Sequence, residues 1–244
     1  MPESTPLNEP QPPPKKRRRR WLWITAVVVL ALLIPVAIIA VPIVTHVSKG
    51  VPVQDDSGQK WPLTATTHGG DERIRTVTVA AAPVADPNAT DGATTDGATT
   101  DSATTAALDT SALVEGQRLV VKGTGFDAAQ GIYVAICVIP ADPATKPGPC
   151  LGGVPTQTQQ DVAAGTVQYA PSNWINDDWA WKLFGSRSYD DPKAGTFTAY
   201  LEISPPIGDG INCRTSACAI YTRNDHTALR DRAQDVYIPV GFAG

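Results

Sequence analysis

From Trp21 to Val44 the chain runs for 24 residues without a charged side chain. As a helix this stretch measures roughly 36 Å at ~1.5 Å rise per residue, more than the ~30 Å of a bilayer's hydrocarbon core. It is expected to span the membrane with some tilt. Lys15, Lys16 and Arg17 to Arg20 stand directly before it, with Trp21 and Trp23 at the boundary. Basic flanks stay in the cytoplasm and amphipathic rings favour the interface, which places the C-terminus outside. A cleaved signal peptide has an apolar region of only about 7–15 residues, so this segment is read as an uncleaved single-pass signal-anchor held in the lipid bilayer, although Ala37 to Ala40 supply small residues.

The anchor divides the rest of the chain. Residues 1–20 form a basic cytoplasmic tail, rich in Pro and Glu before the basic block, that cannot bury enough apolar surface to fold alone. Residues 45–75 are polar and mixed in charge, and are expected to form a juxtamembrane stalk. Thr76-Val77-Thr78-Val79-Ala80 alternates β-forming residues, so residues 76–83 are a candidate first strand. A low-complexity spacer covers residues 84–110, where Asp91-Gly92-Ala93-Thr94-Thr95 recurs almost unchanged from Asp96 and from Asp101. Side chains this small cannot build a packed solenoid layer. The formal charge of −4 is carried despite the basic tail, so everything beyond residue 20 is acidic. Nucleic acid, which is gripped through clustered Lys and Arg, is therefore not an expected partner.

Residues 111–244 carry the folded domain. Leu119 and Val121 share one face, as do Ile132, Val134 and Ile136, then Phe197, Ala199, Leu201 and Ile203, and finally Val236, Ile238, Val240 and Phe242. Short period-two runs between Gly, Pro, Asn and Asp clusters, with no convincing amphipathic helix among them, imply an all-β antiparallel sandwich or barrel. Pro239 falls inside the last run and marks it as an edge strand. Cys137, Cys150, Cys213 and Cys218 are an even set in an exported domain, which favours disulfides. Four cysteines allow three pairings. Zinc is disfavoured by their spacing, and His226 is the sole histidine in this half. No metal or cofactor is expected.

The stretch from Ser111 to Phe126, with Leu113-Val114-Glu115-Gly116 and Val121-Lys122-Gly123-Thr124-Gly125-Phe126, resembles the neocarzinostatin-like apoproteins of actinobacteria, as do Asn212-Cys213-Arg214-Thr215-Ser216-Ala217-Cys218 and the closing Val236 to Phe242. The resemblance covers roughly residues 111–244. It implies an immunoglobulin-like sandwich with two local disulfides, Cys137 to Cys150 and Cys213 to Cys218, and a cleft near the first bridge that holds an enediyne chromophore in some members. The expected tryptophan two residues after the first cysteine is Ile139 here, and the loop before the second pair has shrunk to residues 204–210. Chromophore binding therefore does not carry over residue by residue. The chain is more similar to membrane-anchored actinobacterial surface proteins that reuse this domain.

Recognition is expected instead in the segment holding Trp174, Trp179, Trp181, Phe184 and Tyr189, since Trp and Tyr supply large, fairly rigid contact area. The alternative is that these rings fold back under a long loop as a satellite core. Asp225 and His226 adjoin each other, but no nucleophile accompanies them. No phosphate loop or nucleophile elbow occurs, so the chain is read as a non-enzyme. The expected function is a cell-envelope protein displaying an extracellular binding or adhesion domain for an envelope or surface partner; the alternative is capture of a small hydrophobic ligand.

Overall fold

Two antiparallel sheets form the domain, with burial alternating along most strands of the first and nearly continuous along the central strands of the second. The computed structural model describes residues 50–83, 108–153 and 167–244, all within one unit, His46–Gly244. The expected tail and anchor, and almost all of the spacer, lie outside the described residues. Among the described residues, no helix is long and apolar enough to cross a membrane.

The first sheet orders its strands as β1 (Val53–Gln54), β2 (Thr64–His68), β3 (Ile74–Ala81), β4 (Arg118–Thr124) and β7 (Phe197–Glu202). The second runs β11 (Val236–Val240), β10 (Cys218–Asn224), β5 (Ile132–Val138) and β6 (Ser172–Ile175). A two-stranded ribbon, β8 (Ile207–Gly208) with β9 (Ile211–Asn212), lies apart. Val77, Val79, Leu119, Val121, Phe197, Ala199 and Leu201 point inward from the first sheet to meet Ile132, Val134, Ile136, Ile220, Val236 and Ile238 from the second. Each fully buried Val, Leu or Ile is worth about 1.5–3 kcal/mol of transfer free energy. The sandwich is stapled by Cys137–Cys150 and Cys213–Cys218, the two local pairs that the resemblance implies.

The segment expected as a stalk is a correction. Residues 53–54 and 64–68 are strands of the first sheet, with Val53 opposite His68 and Thr64 opposite Thr78. Thr64 and Thr66 bond their hydroxyls to Thr78 and Thr76 across the outer face, while Ala65 and Thr67 face inward. Arg75 is fully buried and bonds both carboxylate oxygens of Asp71. Of the candidate strand at 76–83, residues 76–81 form the last six residues of β3, which pairs with β4 from Thr76 opposite Thr124 to Ala81 opposite Leu119.

Pro239 does sit on an edge, because β11 ends its sheet. The side-chain amide of Gln54 serves that edge, donating to the Tyr237 carbonyl (3.0 Å) and accepting from the Tyr237 amide (3.1 Å). An unpaired edge invites pairing with other chains, and a side chain that satisfies it blunts that tendency. β5 departs from simple alternation, being buried on both faces for six of its seven residues. Its outward Ala135 and Cys137 pack with Cys150, Ala219 and Tyr221 in a second apolar cluster, joined by Ile139 and Tyr237.

Candidate functional site

β6 and the turns after it build an aromatic tip at one end of the second sheet. Trp174 pairs with Tyr133 across β5 and β6 on the sheet's outer face, with ring centres 5.9 Å apart. Its indole N–H donates to Oδ2 of Asp225 at 2.9 Å, as does the Asn176 amide at 2.9 Å. The other oxygen of Asp225 accepts from the Thr227 amide (2.8 Å) and hydroxyl (2.6 Å), capping a short 3-10 turn, His226–Ala228. A buried carboxylate is tolerated only when so satisfied. Gly131 is required beside it, since a Cβ there would lie 1.9 Å from Oδ2 of Asp225 and 2.3 Å from the Asn176 amide nitrogen.

Asp178 then caps a single helical turn, α1 (Trp179–Lys182), by accepting from the Ala180 amide at 3.0 Å. Lys182 at its end donates to the Asn176 carbonyl (2.6 Å) and the Ser188 hydroxyl (2.8 Å), tying both ends of the loop together. The outcome for the apolar side chains is divided. Trp174 is 5 % exposed and Tyr189 3 %, whereas Trp179 is 77 % exposed and Phe184 60 %. Tyr189 belongs to the main core, with its hydroxyl on the Gln130 carbonyl at 2.9 Å, and burial raises its pKa well above the ordinary phenol value. Trp181 lies between these extremes, packed on Trp174 (5.5 Å), Phe184 (6.0 Å) and His226 (4.8 Å).

His226 completes the tip, exposed to solvent, with Nδ1 3.0 Å from the Tyr133 hydroxyl. Burial pushes the pKa of that phenol up to about 12, and the nearby Asp225 charge adds to the effect. From the sequence His226 reads as an acid or base, or as part of a salt-bridged, hydrogen-bonded loop between the last two strands, and not as a member of the aromatic set. Its place among the rings depends on the turn after β10 folding against the turn after β6, some fifty residues away, and no local signal announces that contact. Asp225 is committed to holding Trp174, Asn176 and Thr227 in place. Behind α1, a polar cavity of about 320 Å³ lies between Lys182, Arg187 and Tyr200, with the Arg187 guanidinium 4.8 Å from the centre of the Tyr200 ring.

Near the first disulfide lies an open hollow of about 660 Å³, lined by Val138, Pro149, the hairpin from Ile207 to Asn212, and Ser216. No aromatic side chain lines it.

No family model matches the chain. Over 132 residues it is 30% identical to thiamine biosynthesis protein X of Corynebacterium glutamicum, an alignment covering 54% of this chain and 58% of that one. The chain thus spans somewhat over half the length of this curated relative. Among solved structures it is similar to macromomycin, at 19% identity over 55% of this chain and 93% of that chain, with a TM-score of 0.30. That likeness is too slight to carry an argument about ligand or mechanism.

Proposed function

We propose that this chain is a non-enzymatic binding protein, anchored with its sandwich outside the cell, and that the domain captures a small molecule with a flat apolar face at Trp179, Trp181, Phe184 and His226. The observation that carries this reading is the exposure of Trp179 and Phe184 on a loop pinned at both ends by Asp178 and Lys182. Large rings held rigidly in water lose little entropy when a ligand stacks on them.

A small molecule is favoured over an adhesion partner by the size of the patch. Trp179, Leu183 and Phe184 are its strongly exposed apolar side chains, against roughly 20–30 residues a side in a stable protein interface. The relative named for thiamine biosynthesis makes thiamine a reasoned first probe, because its two heteroaromatic rings are flat and stack readily on indole. Fluorescence titration of the full-length chain in a non-ionic detergent, with thiamine and with N-acetylglucosamine oligomers, tests the reading. Saturable binding of one of them is expected. The double variant Trp179→Ala/Phe184→Ala should abolish it while folding is retained, since exposed substitutions shift stability by less than about 0.5 kcal/mol. Binding that survives in this variant, or no response to either probe, refutes the assignment.

A further inference from the structure

β7 alternates buried and half-buried residues, so Thr198 and Tyr200 share its outer face. The chain leaving α1 returns along the end of β6, where the Arg187 amide donates to the Trp174 carbonyl at 2.7 Å and the Arg187 carbonyl accepts from the Asn176 amide at 2.8 Å. With its backbone fixed there, Arg187 lays its guanidinium over the Tyr200 ring, 4.8 Å from the ring centre. Both side chains line the polar cavity of about 320 Å³ behind α1, together with Lys182, Ser188, Asp190 and Thr198. The charges of this cavity are held in different ways. Lys182 is committed, donating to the Asn176 carbonyl and the Ser188 hydroxyl and pairing with Asp177 at 3.4 Å. Asp190 is exposed, and its Oδ2 accepts from the Thr198 hydroxyl at 2.8 Å. The half-buried Arg187 guanidinium makes no hydrogen bond or ion pair among the described residues. Stacking on an aromatic face leaves the in-plane N–H donors of a guanidinium free. Arg187 and Asp190 thus bring opposite charges to one cavity, each held by a neutral partner instead of by the other.

A ligand that fills this cavity has to answer both charges. A simple anion would meet the Asp190 carboxylate, a simple cation would meet Arg187, and a neutral molecule would desolvate the two charges without pairing either. Three residues separate the two along the chain, so their Cα atoms lie within roughly 11 Å of each other. Side chains converging on one cavity from that distance suit a small molecule bearing both signs of charge. We infer that the cavity binds a small zwitterion of the α-amino acid class, with its carboxylate on the Arg187 guanidinium and its ammonium on Asp190. The planar fork of Arg187 matches a carboxylate. Ser188, whose hydroxyl oxygen accepts from Lys182, still has its own proton to give to that carboxylate. None of Trp179, Trp181, Phe184 and His226 lines this cavity, so the inference does not rest on the aromatic-tip reading.

Three probes share one methyl group as reporter and differ only in charge: L-alanine, N-acetyl-L-alanine, which lacks the ammonium, and L-alaninamide, which lacks the carboxylate. Ligand-observed NMR on the full-length chain in detergent, at about pH 6.5 where a free amino group is protonated, should show saturable binding of alanine. Each analogue should bind about tenfold more weakly or worse, the loss of one charge-assisted contact. Arg187→Gln should weaken alanine by about tenfold and remove its advantage over alaninamide, with a melting curve to show that the variant folds. Asp190→Asn, at an exposed position where folding is not at stake, should remove the advantage of alanine over N-acetylalanine. Absence of saturable alanine binding would overturn the inference. So would an analogue that binds as well as alanine in the parent chain, or an Asp190→Asn variant that keeps the parent's preference.

Discussion

Replacing Trp174 with Phe removes a single N–H from the buried centre of the tip while keeping an aromatic ring against Tyr133. The indole bond to Asp225 is one of four that the carboxylate accepts, and it is wholly buried. A hydrogen bond to a charged group contributes about 1.5–3 kcal/mol net. The smaller ring also leaves a space beside Trp181, whose centre is 5.5 Å from that of Trp174, and large-to-small changes of this kind add roughly 1 kcal/mol. The sum, about 2.5–4 kcal/mol, corresponds to a fall in Tm of roughly 5–15 °C for a domain of 150–250 residues. Calorimetry and near-ultraviolet circular dichroism on the full-length chain would register it. The same variant should loosen α1 and His226, which rest on the Trp174 ring, so the fluorescence of Trp181 should shift to the red. If Tm falls by less than about 1 °C, the Asp225 network is not what fixes the tip, and the argument that its exposed rings are held rigid fails with it.

Two further outcomes follow from other parts of the molecule. Burial lifts the pKa of Asp235 from the ordinary 3.8 to about 7, against the opposing pull of Arg232 and Arg223. The folded state therefore binds the proton more tightly than the unfolded chain, and the associated stability is present at low pH and lost as pH rises through about 7. Tm should fall between about pH 4 and 7, and Asp235→Asn should flatten that slope; a variant with the parent's slope contradicts the assignment. Gln54→Ala removes both bonds to the Tyr237 backbone and should cost about 1–2 kcal/mol in urea unfolding, whereas a residue of a free stalk would cost nothing.

The strands that lie deepest were legible because their side chains alternate between large apolar and polar: Leu119 and Val121, or Ile132, Val134 and Ile136, face the core as their spacing implies. β2 was not, because its inward residues are Ala65 and Thr67, too small or too polar to stand out from a linker. β1 escaped notice for a different reason, being two residues held by the side chain of Gln54. In β6 the buried Ser172 and Asn173 looked like loop. Asn173 in fact donates to the Tyr200 carbonyl (2.8 Å) and accepts from the Tyr200 amide (3.1 Å), a side chain doing the work of a strand across to β7. Of the aromatic set, composition alone could not separate Tyr189 and Trp174, which anchor, from Trp179 and Phe184, which project.

That separation bears on what an exposed tryptophan means here. Trp179 is not exposed for want of partners near it, because Trp181, two residues on, packs against Trp174, Phe184 and His226. Successive residues of a helical turn point about 100° apart, so a turn that seats Trp181 on the tip must direct Trp179 elsewhere. Asp178 and Lys182 fix that rotation from both ends. Were the loop longer or uncapped, hydrophobic burial of an indole would favour a conformation folding Trp179 back onto the protein. The caps prevent that, and so the apolar face stays in water, where a ligand that covers it gains the transfer free energy that the fold itself does not use.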